Sequence, residues 1–186
     1  GGEGVRIQQG CTGSFQGANV DGSQSITGIR TQTSQSAFYA SRASSIQFQD
    51  GSAKNSGGHG IGCHRCWISA TNADVTGATF RAVEISHGGR IVLNDADLSN
   101  AGEYAIAIGG GAGVLVNANG ANLKGAGIAS VYPTEGGSIV SLWGAMTNST
   151  AGTWVRGTSY VPVISDIAGY NDASHPISFN LPGYRG

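Results

Sequence analysis

Two stretches of the chain carry the same order of apolar and polar positions: AVEISHGGRIVLNDADL at 82–98 and AIAIGGGAGVLVNANGANL at 105–123. Each runs through an alternating apolar pair, a Gly-rich break, a second alternating pair, and then Ala, Asp or Asn, and Leu. That closing tripeptide anchors further copies: Ala18-Asn19-Val20, Ala53-Lys54-Asn55, Ala73-Asp74-Val75, Ala96-Asp97-Leu98, Ala121-Asn122-Leu123 and Ala145-Met146-Thr147. The alanines recur 35, 20, 23, 25 and 24 residues apart. Apart from the first interval, this is the period of one coil in a solenoid of short strands.

Ahead of each anchor lies the pair Gly13/Phe15, Ile46/Phe48, Cys66/Ile68, Ile91/Leu93, Val114/Val116 or Val140/Leu142. Ahead of that lies Val5/Ile7, Ile29/Thr31, Ile61/Cys63, Val83/Ile85, Ile106/Ile108 or Ala129/Val131. A period of two means a strand with one buried face, and Gly, Asn, Asp and Ser punctuate the joins. Each repeat thus predicts two short strands and a third extended piece at the anchor. Stacked coil on coil at ~4.8 Å, these pieces enclose one continuous core that none could bury alone. Leucine-rich spacing and a 3.6 period are both missing, and a propeller blade takes about twice this length. The expected fold is all-β: a right-handed, single-stranded parallel β-helix of about six coils. Its hand follows the usual crossover between parallel strands. Residues 1–153 would form the β-helix. Residues 154–186 break the pattern with Pro162, Pro176, Pro182 and several Tyr, and are expected to cap the last coil or make an oligomer contact.

Composition agrees with a fold made of turns. The chain has 186 residues, of which 32 are Gly, and 39% are apolar, which argues against disorder. A net charge of −1 gives no overall electrostatic grip on nucleic acid or anionic lipid. No apolar run reaches the length of a membrane span, so no membrane insertion is expected. The chain begins Gly-Gly-Glu, without Met, and reads as a fragment or a processed product.

The excess length of the second repeat falls at QTSQSAFYASRASS, 32–45, and is expected to leave the solenoid as a loop. Phe38 and Tyr39 in that loop would either stack on a sugar ring or pack on the neighbouring coil. Alternation also names an outward column in which Trp67, Val92 and Leu115 are apolar neighbours, expected to form a subunit interface or to lie under a loop or the cap. The C-x-x-C in CHRC, 63–66, has the spacing of a zinc or redox motif. However, Cys63 falls in the column of Ile85 and Ile108, and Cys66 in that of Ile91 and Val114. Both are therefore expected as core thiols, and no metal site is expected.

Asp74 and Asp97 share the anchor column with Lys54, Asn19 and Asn122. As paired carboxylates one coil apart, they would serve as an acid and base in glycosidase chemistry. They would alternatively hold a calcium ion, or form a structural polar ladder bonded to nearby backbone. Glu84, outward between Gly62 and Ala107, is a third candidate carboxylate, alternatively plain solvated surface; Arg6 and Arg30 share its column. GGGAG, 109–113, lacks the helix a phosphate loop needs.

In its three-strand coils of 20 to 25 residues, the pattern over 4–150 resembles the right-handed pectate-lyase-like β-helix proteins. Being rich in Gly, Ser and Asn and ending in a distinct segment, the chain is most similar among these to bacteriophage tailspikes and tail fibres. That resemblance implies a homotrimer on the virion tail that recognises bacterial surface polysaccharide, with or without cleaving it. Two alternatives stand beside it. One is a stand-alone polysaccharide lyase or glycoside hydrolase. The other is a secreted adhesin or passenger domain at the bacterial cell surface.

Overall fold

The computed structural model describes residues 4–22, 36–111, 113–134, 139–142, 145–149, 153–157, 163–165 and 178–179. Among them every element is a strand. In chain order these are β1 Val5–Ile7, β2 Thr12–Ser14, β3 Ser36–Ser41, β4 Ser45–Gln47, β5 His59–His64, β6 Trp67–Ser69, β7 Arg81–Ser86 and β8 Arg90–Val92. Then come β9 Tyr104–Gly109, β10 Leu115–Asn117, β11 Asn122–Ala126, β12 Ala129–Pro133, β13 Ile139–Ser141, β14 Met146–Ser149, β15 Thr153–Gly157, β16 Val163–Ser165 and β17 Ser178–Phe179. The first sheet orders them β1-β3-β5-β7-β9-β12-β15-β17, and the second β16-β13-β10-β8-β6-β4-β2. All pairings are parallel. The chain is a parallel β-solenoid. Four complete turns run from β3 to β12 with only residue 112 undescribed, rather than the six expected. The supposed strand at Ile29 and Thr31 lies outside the described residues, and beyond β12 the path is described in pieces. Of the stretch expected as a cap, β15, β16 and β17 extend the two sheets, and the remainder lies outside the described residues.

The core is built of like residues stacked by register. Phe38, Ile61, Val83, Ile106 and Val131 form one column of the first sheet, and Ala40, Cys63, Ile85 and Ile108 the next. The second sheet contributes Ile46, Ile68, Ile91, Val116 and Val140. The third edge, joined by bridges Asn19–Ser52–Asp74–Asp97–Asn122, brings in Ala53, Val75, Leu98 and Leu123, all fully buried. A fully buried Leu or Ile contributes on the order of 1.5–3 kcal/mol, and repetition over coils makes this the dominant stabilising term.

Three tight turns separate the edges of each coil: turn 1 between the sheets, turn 2 before the third edge, turn 3 after it. At turn 2 the left-handed backbone position is held by Gly17, Asp50, Asn72, Asp95 and Gly120, and at turn 3 by Gly22, Asn55, Gly77, Asn100 and Gly125. These residue types take positive φ at least cost, which explains why Gly, Asn and Asp punctuate the repeat.

The structure corrects the second coil by a few residues. SAFYAS is the strand β3, not a loop. Phe38 is fully buried in the core and Tyr39 is 7% exposed, so the excess length falls in 23–35, outside the described residues. The anchor of that coil is Gly51-Ser52-Ala53 rather than Ala53-Lys54-Asn55. Gly51 stands where other coils have Ala because Phe48 fills the space: a Cβ there would lie 2.7 Å from its ring.

Candidate functional site

Asp74 and Asp97 do sit on consecutive coils, bridged Asp74–Asp97. Their side chains are committed to local structure. Asp74 Oδ1 accepts from the backbone N–H of Thr76 at 3.3 Å and from its hydroxyl at 2.9 Å. Asp97 Oδ1 accepts from the Ser99 N–H at 3.0 Å and from the Asn122 amide at 3.1 Å. Asn19 and Asn122 accept from the backbone two residues on in the same way. This is the Asx turn repeated at Asn19, Asp74, Asp97 and Asn122; at Ser52 the Lys54 N–H turns instead to Asp21 Oδ1 of the preceding coil, and the column favours the structural-ladder reading. Ser52, not Lys54, occupies the ladder, while Lys54 reaches Asp74 Oδ2 from the side at 3.5 Å. Among the described residues no three His, Cys, Asp or Glu side chains gather into a metal-binding group.

The outer face of the first sheet carries a different chemistry. Gly60, Ala82 and Ala105 face the core together with the residues that follow them; a Cβ on Gly60 would strike Val75. Ser36, His59, Arg81 and Tyr104 therefore emerge on the same outer face as Tyr39, Gly62, Glu84 and Ala107. A Cβ on Gly62 would lie 2.7 Å from the Tyr39 ring and against Ser36 Oγ, so this face is closely packed. Glu84 keeps its expected neighbours Gly62 and Ala107, and Arg6 packs over Tyr39 at 5.4 Å; Arg30 lies outside the described residues. Glu84 is not solvated surface, being 7% exposed. Its Oε1 lies 2.9 Å from Arg81 Nη1, and Arg81 Nε lies 3.7 Å from Glu103 Oε2. Burial raises the Glu84 pKa, Arg81 opposes that, and Glu103 adds to it.

His59 Nε2 comes within 3.1 Å of Glu84 Oε2. Proximity favours a charged pair, but burial of both partners outweighs it. Desolvation, helped by Arg81, pushes His59 down to about 4, so the ring is neutral near pH 7. Neither His59 Nδ1 nor Glu84 Oε2 has a hydrogen-bond partner. Two carboxylates thus share one guanidinium, the buried one biased toward its protonated form and the other half-buried. Such inequality is the arrangement that separates an acid from a base.

Cys63 and Cys66 are buried as expected, but they form a disulfide rather than two thiols, and Cys66 lies one residue ahead of Trp67 rather than in the column of Ile91. Cys11 is free and exposed.

The second sheet corrects the apolar column. Ile68 pairs with Ile91, so Trp67 stands beside Arg90, and Arg90 in turn beside Leu115. Val92 belongs to the neighbouring outward column with Ser69 and Asn117. The expected Trp67–Val92–Leu115 patch is therefore interrupted by an arginine. On one side of Arg90 remains the aromatic ring of Trp67, 37% exposed, with Ser45 and Arg90 beside it in its column and Gln47 and Ser69 in the next; on the other side Leu115 stands beside Ile139, 47% exposed. Phe38 and Tyr39, expected either to stack on a sugar or to pack on the neighbouring coil, are buried; among the described residues Trp67 is the exposed ring on the second sheet. Compared with known proteins, the chain matches no family model, no curated protein and no solved structure.

Proposed function

We propose that the chain is the glycan-binding solenoid of a phage tailspike or tail fibre, a homotrimer on the virion tail that holds a bacterial surface polysaccharide along the outer face of its second sheet. The observation that carries this reading is the exposed Trp67 ring among Ser45, Gln47, Ser69 and Arg90. An indole presents a rigid apolar face at low entropic cost, suited to the C–H face of a pyranose, and the surrounding hydroxyl, amide and guanidinium groups suit its hydroxyls. Outward positions recur at each coil by ~4.8 Å, so a linear chain lying along the coils meets one outward side chain after another.

The test is binding of purified bacterial surface polysaccharides by the full chain and by Trp67→Ala, with mass in solution measured by light scattering. The reading expects a trimer and at least a tenfold loss of affinity in the variant at unchanged mass. Unchanged affinity refutes it, and dissociation of the variant without loss of binding makes Trp67 a subunit contact instead.

A second reading, cleavage of that glycan on the first sheet, is favoured by the Glu84–Arg81–Glu103 arrangement, with Glu84 as proton donor and Glu103 as base. Glu84→Gln should abolish release of new reducing ends, and an unchanged rate removes Glu84 from any mechanism.

A further inference from the structure

Turn 1 departs from the chemistry of the other two turns. Its left-handed positions on three consecutive coils are held by Arg42 (φ 56°), Arg65 (φ 53°) and His87 (φ 55°), with Gln9 and Ala43 beside them. Arg is not a type that takes this conformation readily, while His, like Asn and Asp, takes it more often; every such position at turns 2 and 3 is Gly, Asn or Asp. The strained positions set basic side chains in a row. Arg42, Arg65, His87 and the neighbouring Arg90 are all exposed, and the His64 ring lies 4.3 Å from that of His87. The His87 ring leans over Gly110, where a Cβ would sit 2.7 Å from it, in a turn 1 segment of the next coil that carries Gly109, Gly110, Gly111 and Gly113.

No Asp or Glu occurs in the turn 1 segments of the five coils from β1 to β10; the segment after them, 134–138, carries Glu135, outside the described residues. Among the described residues the ion pairs use Lys54, His59 and Arg81, and none uses Arg42, Arg65 or Arg90. The carboxylates Asp50 and Asp95 lie at turn 2, and Asp21, Asp74 and Asp97 on or after the third edge. Over the coils that carry Arg42, Arg65 and His87, a chain of net charge −1 thus keeps a basic corner with no carboxylate in its turns, and self-repulsion along the row is relieved by a bound anion.

We infer that turn 1 is an anion-binding ridge that selects an acidic polysaccharide, one whose sugars carry carboxylates. This rests on the reading of the chain as a glycan binder and names the substrate class. The ridge borders the second sheet on the side of the Trp67–Arg90 column, so a chain lying on that face meets it. One basic side chain per coil, ~4.8 Å apart, matches a glycan with a charge every one or two sugars. It is too sparse for duplex DNA, with a charge every ~1.7 Å, and the acidic edges repel so broad a polyanion.

The experiment uses the full chain and the triple variant Arg42→Asn, Arg65→Asn, His87→Asn, which restores a favourable left-handed residue at each turn. Probes are polysialic acid, colanic acid and a glucuronate-containing capsule as acidic chains, dextran and levan as neutral ones, and a DNA duplex. Expected are binding to at least one acidic glycan and not to the neutral ones, weakening of tenfold or more between 50 and 300 mM salt, loss of at least tenfold in the variant, and a variant melting temperature equal to or above that of the parent. Salt-insensitive binding, unchanged affinity in the variant, or tighter binding to DNA than to any acidic glycan overturns the inference. Binding to neutral glycans alone overturns it while leaving the glycan-binding reading intact. Failure on every glycan overturns both.

Discussion

Replacing His59 by Gln tests the buried cluster through its pH dependence. The ring is 8% exposed and its pKa is held near 4, against 6.5 in the unfolded chain. A depressed histidine destabilises the fold on acidification: below 6.5 the unfolded chain takes up a proton that the folded chain refuses until about pH 4. The gap is worth at most about 3 kcal/mol, of which about 2 kcal/mol is expressed by pH 5. Gln has a similar reach and does not titrate. Urea unfolding followed by circular dichroism at pH 7.5 and 5 should therefore show the parent losing about 2 kcal/mol more than His59→Gln over that interval. Glu84, whose pKa is raised by burial, works in the opposite sense: it stabilises below the unfolded carboxyl value, and this is lost as pH rises through its folded value. It does so in both proteins, so it largely cancels from the difference. Equal slopes would mean that His59 is not buried as a neutral ring. The opposite sign, with the parent gaining on acidification relative to the variant, would mean that the 3.1 Å approach to Glu84 outweighs desolvation.

Two further substitutions test the packing and the ladder. Gly51→Ala forces a Cβ within 2.7 Å of the Phe48 ring and should cost about 1–3 kcal/mol. Combined with Phe48→Leu it recreates the Leu93/Ala96 pair of the coil next but one, so a double-mutant cycle should show favourable coupling of about 1–2 kcal/mol, and strict additivity would refute the register. Asp97→Asn keeps an oxygen for the Ser99 N–H and should change stability by less than about 1 kcal/mol in the same unfolding assay. If it abolishes cleavage of a glycan that the parent cuts, the ladder is catalytic after all.

The repeat was legible in the sequence because alternation and coil length are local properties. Val83 with Ile85 and Ile106 with Ile108 occupy the stacked inward positions that their pattern implies. Glu84 was placed between its correct neighbours for the same reason. The errors came where two registers share a parity. Shifting a strand by two residues leaves every inward residue inward, so the apolar pattern could not separate Cys66/Ile68 from a register with Ile68 opposite Ile91. With that slip Arg90 dropped out of the Trp67 column, and Lys54 took the place of Ser52. The burial of Glu84 and His59 was also hidden, because residues from neighbouring coils and an inward-facing Gly or Ala ahead of each core residue create it.

The sequence by itself determined a β-solenoid with its three edges and its inward faces, since each follows from a period of two nested in a period near 23. Tertiary structure alone decided which coil residue lies over which, that Trp67 neighbours Arg90, that Arg42, Arg65 and His87 stand in one row, and that a histidine and a glutamate meet on an outward face without reaching water. The physical reason is that these depend on contacts between coils. There, steric fits such as Phe48 over Gly51 and Val75 into Gly60 choose among registers that the pattern of apolar and polar residues along a single strand leaves equal.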